Sequence, residues 1–111
     1  MPQTSTDTEL LRRYSSSGDE IAFRALAERH AGLVYHTALR CTSEPELASD
    51  VCQSVFLLLS QKASRIDAAG GLAGWLHRTA VFHARNASRK EARRRRALQA
   101  TSRVVASRAC S

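Results

Sequence analysis

Residues 70–96 constrain this chain more than any other stretch. They read G-G-L-A-G-W-L-H-R-T-A-V-F-H-A-R-N-A-S-R-K-E-A-R-R-R-R. The paired glycines suit a turn and a helix start. The single tryptophan, Trp75, follows at once, and then the cations thicken. Arg78, Arg85, Arg89, Lys90, Arg93, Arg94, Arg95 and Arg96 are eight positive charges, with Glu91 the one acid among them. A helix that starts apolar and aromatic and ends cationic has two tasks. One end packs, and the other meets a polyanion.

The rest of the chain sharpens that contrast. Its 111 residues are enough for one small domain. At 43% hydrophobic residues a folded core is expected. Only two prolines and five glycines occur, and long Val/Ile/Thr-rich runs are missing, which predicts an all-α fold. Residues 1–77 carry seven Arg/Lys and nine Asp/Glu, whereas residues 78–111 carry ten Arg/Lys and one acid. The whole excess of +7 therefore lies in the last third. That placement points to nucleic acid first and an anionic membrane second.

Thr6 and Glu9 fit a capping box for a first short helix over about residues 7–16, which Ser15, Ser16, Ser17 and Gly18 then break. Asp19 suits the cap of a second helix running to about Arg40. Its apolar positions are Ile21, Ala22, Ala25, Leu26, Ala31, Leu33, Val34, Ala38 and Leu39, with Gly32 as a candidate point of close packing. Ser43 and Glu46 form a second capping box, with Pro45 in the first turn of a third helix over about residues 44–62. Leu47, Ala48, Val51, Val55, Leu58 and Leu59 are its core stripe. Asp50, Gln53, Ser54 and Leu57 fall on another side. A fourth helix begins near Leu72 and runs through Arg96, and the residues after Leu98 look frayed. The expected architecture is a compact bundle of about four helices with a long basic C-terminal one. It spans residues 1–98, with residues 99–111 as a flexible tail or the start of a linker.

Other chemistries find little support. Cys41, Cys52 and Cys110 are an odd count without CxxC spacing, and residues 1–7 lack the apolar core of a signal peptide. Free thiols in a reducing cytoplasm are expected. His30 and His36 with Cys41 and Cys52 match no zinc signature, so no metal site or cofactor is expected. No nucleophile–base–orienter set and no phosphate-cradling glycine loop occur, so an enzyme reading has no positive support. No apolar run approaches the length that spans a bilayer, and bulky apolar residues thin out where charge is densest, which disfavours a membrane-binding helix.

Three stretches, in this order, resemble region two of bacterial sigma factors of the extracytoplasmic-function class. A-F-R-A-L-A-E-R-H-A-G-L-V-Y-H-T-A-L-R (residues 22–40) is similar to that family's long second helix. A-S-D-V-C-Q-S-V-F-L-L-L (residues 48–59) is similar to its polymerase-binding D-x-x-Q-x-x-F segment, and residues 74–96 to its promoter-melting helix. The likeness covers about residues 8–98.

The resemblance implies two partners, the beta-prime clamp coiled coil of RNA polymerase core and the promoter minus-ten element. It allows an anti-sigma factor as a third, and it implies work in the cytoplasm without a cofactor. Asp50, Gln53, Ser54 and Leu57 would dock on the clamp. Ser54 stands where the family usually has an acid, which removes one charge from that face. Residues 66–71 would hold a flipped base. Trp75, Arg78, Thr79, Phe82, Asn86, Arg89, Lys90 and Arg93 would read or anchor DNA. Core packing is the competing role for Trp75, and a solvent-facing amide for Asn86. A complete factor of the class continues into a helix-turn-helix for the minus-thirty-five element, so this chain is expected to be a fragment, a truncated product or a stand-alone region two. The competing function is a small helical interaction module whose basic tail binds nucleic acid non-specifically.

Overall fold

A computed structural model describes residues 6–67 and 70–110, the last two as backbone only. Four α-helices follow one another: α1 (Asp7–Ser17), α2 (Glu20–Thr42), α3 (Pro45–Lys62) and α4 (Leu72–Cys110). A 3-10 turn, Ala63–Arg65, extends the end of α3. The fold is all-α, as expected. α2 lies at the centre and packs on each of the other three helices.

Local chemistry sets most boundaries. The Thr6 hydroxyl accepts from the Glu9 N–H and starts α1. Its C-terminus closes at Gly18, which takes the left-handed conformation (φ 70°) and donates its N–H to the Tyr14 carbonyl. The three serines before it do not break the helix. Their hydroxyls donate back to the Arg12 and Arg13 carbonyls within the last turn. The Asp19 carboxylate caps α2 by accepting from the Ile21 and Ala22 N–H groups.

The second capping box does not form. Ser43 is the left-handed C-cap of α2 (φ 59°) and donates its N–H to the Leu39 carbonyl at 2.7 Å. A residue closing one helix in that conformation cannot also take the extended backbone of an N-cap. Glu44 is the N-cap of α3, without a side-chain cap bond, and Pro45 holds the first position. Thr42 joins the two helices instead. Its hydroxyl donates to the Ala38 carbonyl and accepts from the Glu44 N–H.

The core is a set of four-residue ladders. α2 contributes Ala22, Leu26, Val34 and Ala38; α3 contributes Ala48, Val51, Val55 and Leu59; α4 contributes Leu72, Leu76, Ala80 and Ala84. Small residues on α4 facing branched residues on its neighbours let the helices approach closely. Leu10 and Leu11 of α1 complete the cluster. The α2 stripe is narrower than its sequence suggests: Ile21 is 78% exposed, and Ala31 and Leu33 are also exposed. They sit one residue to either side of the ladder, where a helix turns away from its partner. Gly32 faces open space, so it does not mediate close packing.

α1 is further held by Asp7, whose carboxylate accepts from the Arg29 guanidinium at 2.8 Å and pairs with the His30 ring at 2.9 Å, both on α2. Inside the core, the Thr37 hydroxyl is buried without a hydrogen-bond partner among the described residues.

α4 departs most from expectation. It does not fray after Leu98 but continues as helix to Cys110, 39 residues in all. No Gly or Pro interrupts residues 92–110, and alanines and arginines dominate, so nothing in the sequence stops it. From Ala92 to Arg108 every side chain is exposed. The helix therefore projects beyond the bundle and stretches the molecule to 73 × 24 × 22 Å.

Truncating a ladder residue should cost far more than truncating its exposed neighbour. Leu26→Ala is expected to lower the unfolding free energy by roughly 2–5 kcal/mol and Ile21→Ala by less than about 0.5 kcal/mol, measured by urea denaturation. Thr37→Val should hold or raise stability, by up to about 1 kcal/mol, because it removes an unsatisfied buried hydroxyl without changing shape.

Candidate nucleic-acid interface

α4 presents opposite chemistries to its two sides. The ladder Leu72, Leu76, Ala80 and Ala84 faces inward. On the far side, Arg78, Phe82, Arg85, Arg89, Arg93 and Arg96 recur at three- and four-residue spacing and are all exposed. Phe82 is 61% exposed, an aromatic ring set among guanidinium groups. Its ring meets His83 edge-on, with centroids 5.5 Å apart.

Two clefts meet at Phe82. One, of about 410 Å³, runs along α4 and is lined by His77, Arg78, Val81, Phe82, Arg85 and Arg89. The other, of about 330 Å³, lies between the end of α3 and α4. Trp75, Arg78, Thr79, Phe82 and His83 form its α4 wall, and Leu58 and Lys62 form its α3 wall. Four of the residues that the sequence singles out for DNA, Trp75, Arg78, Thr79 and Phe82, are thus brought together. Trp75 is half-buried against the core, the packing role weighed for it, and its remaining surface lines the cleft. Lys62, Leu58, His77 and His83 escaped sequence reasoning. Lys62 closes a different helix, and no spacing rule connects it to Trp75.

The remaining DNA candidates lie further along α4. Asn86, Arg89, Lys90 and Arg93 are exposed. The Asn86 side-chain carbonyl accepts from the Arg89 guanidinium, so its free edge is the NH₂ group. Of residues 66–71, Ala68 and Ala69 lie outside the described residues. Ile66 and Asp67 border a cleft of about 230 Å³ shared with Thr8, Leu11, Arg12 and Ser15 of α1. Gly71 takes a positive φ of 105° at the entry to α4, which a side chain there would strain.

The arginine run is not uniform. Arg94 donates to Glu91 through two N–H groups, at 2.8 and 3.1 Å. Arg95 pairs with Glu91 and also reaches Glu44 at the start of α3. Glu91 is half-buried, nearly two turns beyond Ala84 on the inward side. The hydrogen bond from Arg94 holds its carboxyl below the usual carboxylate value, with the Arg94 and Arg95 charges adding to the effect.

The expected clamp-docking residues Asp50, Gln53, Ser54 and Leu57 occupy one exposed face of α3, with Leu57 59% exposed. Beside them an apolar cleft of about 370 Å³ runs between α2 and α3, lined by Ala27, Glu28, Ala31, Cys52, Gln53 and Phe56. Cys41 and Cys52 are free and half-buried, and burial pushes the Cys52 thiol up. Among the described residues, no three His, Cys, Asp or Glu side chains are grouped to hold a metal ion. Nor is any helix among them long and apolar enough to cross a membrane.

Residues 26–94 match the family model for Sigma-70 region 2. The chain belongs to the sigma-70 region 2 family. The ECF RNA polymerase sigma factor SigK of Mycobacterium sp. strain KMS is 32% identical over 101 residues, covering 84% of this chain and 52% of the relative. A protein of the same name from strain JLS matches to the same extent, as does the RNA polymerase sigma factor SigK of strain MCS. The chain thus spans about half the length of the curated relatives it matches. No solved structure matches it significantly. The matched region takes in both clefts at Phe82 and the exposed face of α3. It ends within the arginine run and leaves the projecting part of α4 outside.

Two measurements test this region-two site. Glu91 should titrate below 4.5, read by carboxyl NMR, and Arg94→Gln should return it towards that value. Because the folded value is depressed, the stabilisation from Glu91 is present above pH 4.5 and lost as pH falls through its folded value. Gly74→Ala should stabilise α4 by up to about 1 kcal/mol. A Cβ there meets only the far end of the long Arg78 side chain, at 3.2 Å, which can swing aside.

Proposed function

We propose that this domain is the region-two module of a sigma factor in transcription initiation. α3 docks on the beta-prime clamp of RNA polymerase core through Asp50, Gln53, Ser54 and Leu57. α4 recognises and opens the promoter minus-ten element. The observation that carries the reading is Phe82, a solvent-exposed ring in a basic surface where two clefts meet. Opening a duplex needs unstacked bases to be held, and aromatic faces flanked by cations hold them.

The geometry supports a division of labour. Phe82 and the Trp75 edge offer stacking surface. Arg78, Arg85 and Arg89 offer charge to the adjoining phosphates, while Thr79 and the free Asn86 NH₂ offer hydrogen bonds to base edges. Unstacking costs a few kcal/mol, which phosphate contacts and attachment to the polymerase offset. Two features favour the α3 surface for a helical partner: it mixes Leu57 with polar side chains, and it adjoins the apolar cleft at Phe56.

The two halves separate experimentally. Phe82→Ala should weaken binding to a single-stranded minus-ten-like oligonucleotide by about 1–3 kcal/mol, measured by fluorescence anisotropy, while capture on a beta-prime clamp fragment stays unchanged. Leu57→Asp should abolish clamp capture and spare DNA binding. Ser54→Glu, which supplies the acid that the family usually has there, should strengthen capture. Equal affinity for minus-ten-like and scrambled DNA at moderate salt would favour a non-specific basic module instead.

A further inference from the structure

The outward arginines of α4 do not stop where the family match stops. Arg96 and Arg103 lie seven residues apart, and Arg96 follows Arg93 and Arg89 at three- and seven-residue spacing, so all four share one side of the helix. Arg78 to Arg103 spans about 38 Å at roughly 1.5 Å per residue. Within it, Arg78, Arg85, Arg93, Arg96 and Arg103 are exposed and make no ion pair among the described residues. Arg94 and Arg95 behave differently, because Glu91 and Glu44 hold them on the flank towards the bundle.

We propose that Arg96 and Arg103, on the projecting part of α4, bind the phosphate backbone of duplex DNA, and that Glu44 and Glu91 withhold Arg94 and Arg95 from it. Duplex rather than single-stranded DNA follows from the composition of the projection. Single strands are gripped by aromatic stacking platforms as well as charge. After His83 the chain has no aromatic residue, so only charge remains to bind. A straight helical rod carrying spaced guanidinium groups suits a stiff polyanion with one charge per about 1.7 Å of axis. Arg95 also ties α4 to the start of α3 beyond the last apolar ladder residue, while the direction of the helix is set by its buried ladder. The inference builds on DNA binding by α4 but not on its recognising the minus-ten element.

The test is the salt dependence of binding by the whole chain. Two probes are used: a minus-ten-like single strand alone, and the same strand forked into about 11 base pairs of duplex, the length that matches 38 Å. Arg96→Ala with Arg103→Ala should lower the slope of log K against log salt by about 1.8 on the forked probe, two phosphate contacts at about 0.9 each. The single-strand slope should not change. Alanine keeps the helix, being its best former, and circular dichroism verifies this. Arg96→Lys with Arg103→Lys should restore the slope. Arg94→Ala with Arg95→Ala should leave it as in the parent. An unchanged forked-probe slope in the first variant, an equal loss on the single strand, or an equal loss in the Arg94/Arg95 variant overturns the proposal. Scrambling the single-stranded sequence keeps the two ideas apart. If the parent binds scrambled probes equally well, minus-ten recognition fails, while the slopes still decide the stripe.

Discussion

The seam between α2 and α4 is the constraint on which the rest of the structure depends. Leu72, Leu76, Ala80 and Ala84 fall every four residues and are almost wholly buried. That spacing commits one side of α4 to the core, so its other side is committed to solvent. Because the inward side narrows from leucine to alanine, the helices can stay close as charge builds up on the outer face. The same seam sets which arginines look outward. A one-residue shift in the ladder would turn Phe82 and the stripe away from their present side.

Charge then acts in two registers. Among the described residues, no acid pairs with the arginines opposite the ladder. Those on the flank meet Glu91 and Glu44 and become part of the fold. The pair formed by Arg95 and Glu44 is partly exposed, and pairs of that kind contribute little stability, about 0–1 kcal/mol. It joins α4 to the turn between α2 and α3, where Thr42 and Ser43 have already set the angle between those helices. Asp7 does similar work at the other end of the bundle, tying α1 to Arg29 and His30. The Asp7 contact also gives the His30 ring a hydrogen-bond partner unrelated to metal binding.

Much of the fold was legible from residue types. Thr6, Asp19 and Pro45 marked helix starts because a cap or a missing N–H acts within one turn. The misread features needed knowledge of a neighbour. Ser43 looked like a cap to the following helix, but the end of α2 claimed its backbone first. Ile21 and Leu33 looked like core because they are large and apolar, yet they fall just off a ladder whose width depends on how α2 sits against its partners. The continuation of α4 had a local signal, the lack of any stop residue after Arg96, but low apolar content masked it.

The sequence by itself determined that the chain is helical, where its helices begin, that its charge is gathered at one end, and to which family it belongs. These follow from periodicity, caps and motif order, all of which act over a few residues. Only the tertiary structure decided that Lys62 and Leu58 wall the cleft at Trp75, that Phe82 stands in the open while Trp75 is half-covered, and that the arginine run divides into a bound pair and a free stripe. Those outcomes depend on which helix faces lie together. They are set by distances between residues as far apart in the chain as Glu44 and Arg95, to which no local pattern has access.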